Sequence, residues 1–90
     1  MNTDRLALIR GRLEQHFAPL EIEVQDDSAA HRGHAGVRDG RGHYSVRIVA
    51  PAFAGQALLA RHRMIYAALG ELMQQDIHAL SIAALAPDER

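Results

Sequence analysis

Two short segments of strictly alternating side chains most constrain the fold of this 90-residue chain. In residues 20–26, LEIEVQD, apolar side chains face one way and acidic or amide side chains face the other. Residues 43–49, HYSVRIV, repeat the alternation with basic and polar side chains on the second face. A period of two residues is typical of half-buried strands. The sequence therefore predicts two antiparallel strands whose outer faces carry opposite charges.

Helical periodicity surrounds these strands. Before the first strand, apolar residues recur at three- and four-residue spacings from Leu6 to Phe17, and Pro19 ends the pattern. A long helix is predicted from about Gln56 to Met73. Its apolar arc contains Leu58, Ile65, Leu69 and Leu72.

The last apolar segment, IHALSIAALA at residues 77–86, predicts a third strand, and PDER after it reads as a frayed tail. A strand–helix–strand order predicts a right-handed crossover that makes the third strand parallel to the second. The predicted fold class is α+β, a two-layer α-β-β-α-β domain with a three-stranded mixed sheet. Its length predicts a single domain over residues 1–90.

Several classes of function are disfavoured by what the sequence lacks. There is no cysteine, which excludes disulfides and any metal site built from this chain's own thiolates. No nucleophile elbow and no phosphate-binding glycine motif followed by lysine is present, so a non-enzymatic protein is expected. No apolar run approaches the roughly 20 residues that span a bilayer, and the first residues lack signal-peptide features. We therefore expect a cytoplasmic protein that makes no membrane contact.

The middle of the chain is basic, although the formal net charge is −1. Residues 29–63 contain six arginines and one acid, a balance of +5. Residues 28–42 form a long glycine-rich segment, which is typical of functional loops. The arginines are candidates for binding nucleic-acid phosphates, and the alternative is a solvated charged face. These candidates are Arg32, Arg38, Arg41, Arg47, Arg61 and Arg63.

Three histidines are candidate metal ligands, because imidazole binds zinc, copper and iron. His31 and His34 lie in the glycine-rich segment. His62 lies at the margin of the long helix's apolar face, between Arg61 and Arg63, which are predicted to point to opposite flanks of the helix. No known zinc-site spacing is present. The alternative is structural: two solvated loop histidines and one hydrogen-bonded core histidine.

Several motifs occur in an order and spacing that resemble the BolA family over nearly the whole chain. They are DDS before a loop histidine, GHAG, HYSVRIV, FAG, ARHRMIY, ELM and IHALSIAAL. RHRMIY together with HAL is the most specific part, and the chain is similar to bacterial members with a loop histidine. The resemblance implies a fold like the class II KH domain.

The resemblance also implies two functions. The first is partnership with a monothiol glutaredoxin around a shared [2Fe-2S] cluster, in iron–sulfur trafficking or iron sensing. The alternative is a DNA-binding transcriptional regulator of stress response and cell morphology. His62 matches the family's helix histidine, a cluster ligand, and His31 matches the loop ligand, with His34 as a neighbour that can substitute. The partner's cysteine and glutathione complete the cluster, which this chain does not bind alone. The isolated chain is expected to be a monomer.

Overall fold

The structure, a computed structural model, describes residues 2–27 and 42–90. In chain order the elements are α1 (Asn2–Phe17), β1 (Glu21–Asp26), β2 (Gly42–Val49), α2 (Leu58–Leu69), α3 (Leu72–Gln75) and β3 (Ile77–Leu85). Short 3-10 turns cover Pro51–Phe53 and Pro87–Glu89. This arrangement confirms the predicted α+β class and places each predicted strand within one or two residues.

The three strands form one mixed sheet in the order β1-β2-β3. β1 pairs antiparallel with β2, and β2 pairs parallel with β3, as predicted. The crossover through α2 explains this geometry, because a helix returns the chain to the same end of the sheet. One irregularity interrupts the β2–β3 register: Ile77 lies opposite Gly42, but Ala79 lies opposite His43. His78 is therefore the extra residue of a β-bulge.

The helices cover one face of the sheet and bury a small core there. The predicted stripe of α1 is confirmed, since Ile9, Leu13 and Phe17 are buried and Leu6 packs against them. Inward residues of β2 alternate with half-buried ones, as the period of two predicted. The largest fully buried side chains are Tyr44, Phe53, Ile9, Leu13, Ile48, Ile65, Leu69, Ile77 and Val49.

The outer face of the sheet carries the predicted opposite charges. Glu23 lies opposite Arg47 in the β1–β2 ladder. Arg47 donates from Nη1 to Glu21 Oε1 at 2.8 Å, and Arg90 donates to Glu21 Oε2 at 2.6 Å. Both contacts lower the pKa of Glu21, with the Arg47 hydrogen bond as the larger cause. The ion pairs thus reinforce the register that the alternation of apolar residues sets.

Three predictions about the second half of the chain are wrong. The long helix breaks at Gly70, whose φ of 54° lies outside the helical region, and α3 follows as a separate turn. Leu58 is 68% exposed, because it stands in the first turn of α2, beyond the edge of the core. The last four residues are not frayed, since residues 87–89 form a 3-10 turn that Arg61 holds in place.

Candidate functional site

Three strand ends meet at one end of the sheet, which we call the loop end. The Asp27 amide donates to the His43 carbonyl at 2.7 Å, and the Gly42 amide donates to the Asp76 carbonyl at 3.0 Å. Arg5 of α1 forms an ion pair with Asp76 at 3.3 Å and so attaches the helix layer here. The chain therefore leaves β1 and enters β2 at the loop end. His31 and His34 belong to the connecting segment and lie outside the described residues.

Two imidazoles lie side by side at the loop end. The ring centroids of His43, in β2, and His78, in β3, are 4.9 Å apart, with 50° between the ring planes. His43 is half-buried and His78 is exposed. They meet because β2 and β3 are neighbouring parallel strands that start in register, with Ile77 opposite Gly42 and Ala79 opposite His43. The loop end thus carries an exposed imidazole, that of His78, where β1 ends and β2 begins.

His62 lies towards the other end of the domain. It is half-buried and is the fifth residue of α2, a helix about 18 Å long at 1.5 Å per residue. Its neighbour Arg61 contacts the Ala84 carbonyl, which lies seven residues along β3 from Ile77, about 23 Å at 3.3 Å per residue. His62 therefore does not share the loop end with His43 and His78.

Arg61 forms a buried clamp at the end of the sheet opposite the loop end, which we call the clamp end. Arg61 is 6% exposed, and its guanidinium donates to both carboxylate oxygens of Glu89, at 2.5 and 2.9 Å. It also donates to the carbonyls of Ala84 at 2.9 Å and Gln56 at 2.8 Å. The Arg61 hydrogen bonds, with a second from the Ala86 amide, lower the pKa of Glu89 to about 2. The two arginines that flank His62 differ in exposure, since Arg61 is buried with its donors on carbonyls and Glu89, while Arg63 is exposed.

The predicted nucleic-acid arginines differ in their surroundings. Arg47 is paired with Glu21, and Arg61 is held in the clamp. Arg63 is exposed, and it makes no ion pair with any residue of 2–27 or 42–90. The remaining candidates, Arg32, Arg38 and Arg41, lie outside the described residues. Of the three described candidates, only Arg63 therefore presents an uncompensated charge to solvent.

Residues 2–27 and 42–90 contain no group of three or more His, Cys, Asp or Glu side chains able to hold a metal ion. In the same ranges, no helix has the length and apolar character needed to cross a membrane.

His78 is a candidate metal ligand that the sequence patterns did not single out. The available signal was its place at the start of a strand predicted to run parallel to the second strand. In that topology the second and third strands start at the same end of the sheet, where the glycine-rich segment joins it. The helical wheel of α2 drew attention to His62, because a wheel shows which face a residue occupies but not which end of the domain.

Known proteins include relatives that match most of this chain. SufE-like protein 1, chloroplastic/mitochondrial, of Arabidopsis thaliana is 46% identical over 90% of this chain, which spans 23% of that relative's length. The DNA-binding transcriptional regulator BolA of Escherichia coli is 38% identical over 83% of this chain, which spans 72% of it. Since the first relative is named for organelles, a cytoplasmic location stays a prediction. Neither name states an enzymatic activity.

Solved structures agree with the sequence relatives. The BolA domain of SufE1 from Arabidopsis thaliana superposes with a TM-score of 0.84 at 42% identity, covering 96% of this chain and 95% of that one. The family model described as BolA-like protein matches residues 13–89, which include both ends of the sheet and all three strands. The predicted resemblance is confirmed, and the chain belongs to the BolA family.

Proposed function

We propose that this chain is a non-enzymatic, cytoplasmic BolA-like protein that partners a monothiol glutaredoxin and coordinates a shared [2Fe-2S] cluster, in iron–sulfur trafficking or iron sensing. The observation that carries the proposal is the placement of exposed His78 beside His43 at the loop end, where the segment bearing His31 and His34 joins the sheet.

The chemistry of the donor set supports a cluster that is shared. The chain has no thiolate, but histidine nitrogens replace cysteine on one iron of Rieske-type [2Fe-2S] centres. Two imidazoles from this chain would serve one iron, while the partner's cysteine and the thiolate of glutathione would serve the other. The chain's own contribution would be to supply two imidazole nitrogens near one end of the sheet.

The loop end favours His78 over His62 as the ligand from the described residues. A histidine on residues 28–41 would meet His78 near the base of the segment. To meet His62, the segment would have to extend along the sheet towards the clamp end. Each backbone residue fixed costs about 1–2 kcal/mol, so the shorter reach is favoured. His43, packed against the His78 ring, is in position to restrict its orientation.

The test is reconstitution of the complex with cluster-loaded glutaredoxin, followed by visible circular dichroism and the mass of the complex. We expect His78→Ala to change the spectrum and His62→Ala to leave it close to that of the wild type. His16→Ala, which removes an exposed imidazole from α1, is the matched control. A changed spectrum for His62→Ala with an unchanged one for His78→Ala would return the ligand role to the helix histidine. Failure of the wild-type chain to form a coloured complex would contradict the proposed function.

The second ligand is expected to come from the segment between the first two strands. His31 follows the end of β1 more closely than His34 does, so fewer residues must be fixed to position it. We therefore expect His31→Ala to disturb the spectrum more than His34→Ala. Equal small effects would mean that the two histidines replace each other.

DNA binding is the second candidate, and the name of the Escherichia coli relative favours it. Among the described arginines that the sequence singled out, exposed Arg63 is the one available for a phosphate contact. If it makes one, Arg63→Ala should reduce the slope of log affinity against log salt concentration by about 0.9. Binding of duplex DNA measured over a series of salt concentrations checks this. A slope unchanged by the substitution would remove Arg63 from the interface.

A further inference from the structure

The two edges of the sheet are protected to different degrees. The outer edge of β1 is short, and three of its six residues are acids, Glu21, Glu23 and Asp26. The outer edge of β3 is nine residues long, IHALSIAAL, with His78 as its one ionisable side chain and no proline. Charges and short length are the usual devices that prevent a sheet edge from pairing with another chain. β1 has both of them, whereas β3 has neither.

The backbone of β3 shows which groups face outward. The Leu85 carbonyl accepts from the Ala50 amide and so points towards β2. Because successive residues of a strand point to opposite sides, Ala84, Ile82 and Leu80 direct their amides and carbonyls away from β2. Arg61 already occupies the Ala84 carbonyl. The sheet formed by the described residues has no strand beyond β3, so Leu80 and Ile82 present an unpaired ladder there.

We propose that β3 pairs antiparallel with β3 of a second copy of this chain, around a two-fold axis that passes between the two Ser81 residues. In this register Leu80 lies opposite the partner's Ile82, and Ile82 lies opposite the partner's Leu80. These are the outward-pointing residues, and in an antiparallel ladder each such pair exchanges both of its N–H···O bonds. The two sheets join into one continuous six-stranded sheet.

A second copy fits this edge because the strand is complementary to itself. Ser81 faces Ser81, Ala79 faces Ala83, and His78 faces Ala84 rather than another histidine. Within β3 no like charges meet across the axis, so the paired strands themselves carry no electrostatic repulsion. In the register centred on Ser81, the Ala84 carbonyl, which accepts from Arg61, belongs only to the outermost pair, whereas an axis at Ile82 would place it in the pair next to the axis. The clamp therefore favours the register centred on Ser81, in which the two central pairs, Leu80 with Ile82 and Ile82 with Leu80, are free of it.

The proposed dimer does not rest on the proposed cluster site, although His78 lies at the end of the paired strands, and it differs from the sequence-based expectation of a monomer. Its test is sedimentation velocity of the full chain over a range from low to high micromolar concentration. We expect a monomer–dimer equilibrium for the wild type. Ser81→Lys and Ser81→Glu each place like charges directly opposite at the axis and should weaken the dimer about fivefold. An equimolar mixture of the two variants should restore association, since opposite charges then meet.

Gln25→Lys is the matched control, because it adds the same charge to an exposed position on the same face of β1. It should leave the dimer unchanged. Circular dichroism of each variant establishes that the exposed substitution leaves the fold intact. A wild type that stays monomeric throughout the concentration range would overturn the proposal. So would a mixture of the Ser81→Lys and Ser81→Glu variants that associates no better than either variant alone.

Discussion

The loop end and the clamp end of the sheet use polar side chains in opposite ways. At the clamp end, Arg61 is buried, and its guanidinium bonds within the chain to Glu89 and two carbonyls. At the loop end, the imidazole of His78 is exposed and lies against a second imidazole. A buried guanidinium fixes structure, because removing it leaves carbonyl groups unsatisfied. An exposed imidazole can bind a metal at small cost to the fold. The residue that fixes the fold and the residue proposed to bind the cluster therefore lie at opposite ends of the sheet.

The largest expected effect comes from breaking the clamp. Arg61→Ala removes all the hydrogen bonds to Glu89, Ala84 and Gln56 and leaves a cavity beside the core. We expect it to lower the thermal midpoint by more than about 8 °C, whereas His78→Ala should lower it by less than about 4 °C. Thermal unfolding followed by far-ultraviolet circular dichroism measures both. Comparable midpoints for the two variants would show that the ends do not differ in structural importance.

The next effect concerns the turn that brings the chain back to the loop end. Gly70 has φ 54° and ψ −127°, a conformation that costs residues with a Cβ about 1–3 kcal/mol. Gly70→Ala should destabilise the domain by that amount in urea unfolding. Gly11→Ala, inside α1 where an added Cβ meets nothing within 4 Å, is the control and should stabilise by up to about 1 kcal/mol. A neutral Gly70→Ala would show that the turn adapts to a side chain.

The pH dependence of unfolding sharpens the description of the clamp. The folded pKa of Glu89 is lowered to about 2 from its ordinary value of 4.5, so its ionised form stabilises the fold. This contribution is fully present above about pH 4.5 and is lost as the pH falls towards 2. Glu89→Gln should therefore flatten the fall in stability within this window. Asp88→Asn, which removes the neighbouring charge, should retain the slope, and urea unfolding at several pH values compares them. Equal slopes in the wild type and Glu89→Gln would contradict this account.

The smallest effect concerns the turn between α1 and β1 at the clamp end. Ala18 has φ 45°, a left-handed conformation that glycine adopts at lower cost. The same type of position after α2 holds a glycine, so the two reversals differ in how well their residues suit them. Ala18→Gly should stabilise the domain by up to about 1 kcal/mol in urea unfolding. A loss of stability would mean that the alanine methyl makes a packing contact worth more than the relief of strain.

Local patterns were sufficient to predict most of the fold. Alternation located β1 and β2, apolar spacing located α1, and element order gave the parallel pairing of β3. Side-chain contacts between distant segments were not predictable from such patterns. Nothing near Arg61 in the sequence indicates that Glu89, 28 residues later, would bury it. The same limit explains why PDER read as a tail. Gly70 was a visible signal, but the apolar residues after it continued the helical pattern.

The candidate site was predictable only in its residue types. The sequence indicated histidine ligands and a glycine-rich segment, but the position of His62 along α2 required the three-dimensional arrangement. His78 is part of the HAL motif, but it lies in a predicted strand, so the helical pattern that singled out His62 did not apply to it. The register that places it beside His43 has no signature in the sequence, since it depends on how the crossover connects to β3.

The extra residue at the start of β3 also has a geometric consequence. The regular β2–β3 pairing resumes at Ala79, so His78 belongs to a backbone segment outside that repeating pattern. A bulge bends the strand locally and re-aims the side chain of its extra residue, while the strand beyond it keeps its place in the sheet. The direction of the imidazole is therefore set by the few residues at the start of β3. For a cluster shared by two proteins, those residues would decide how the proposed nitrogen ligand faces the iron.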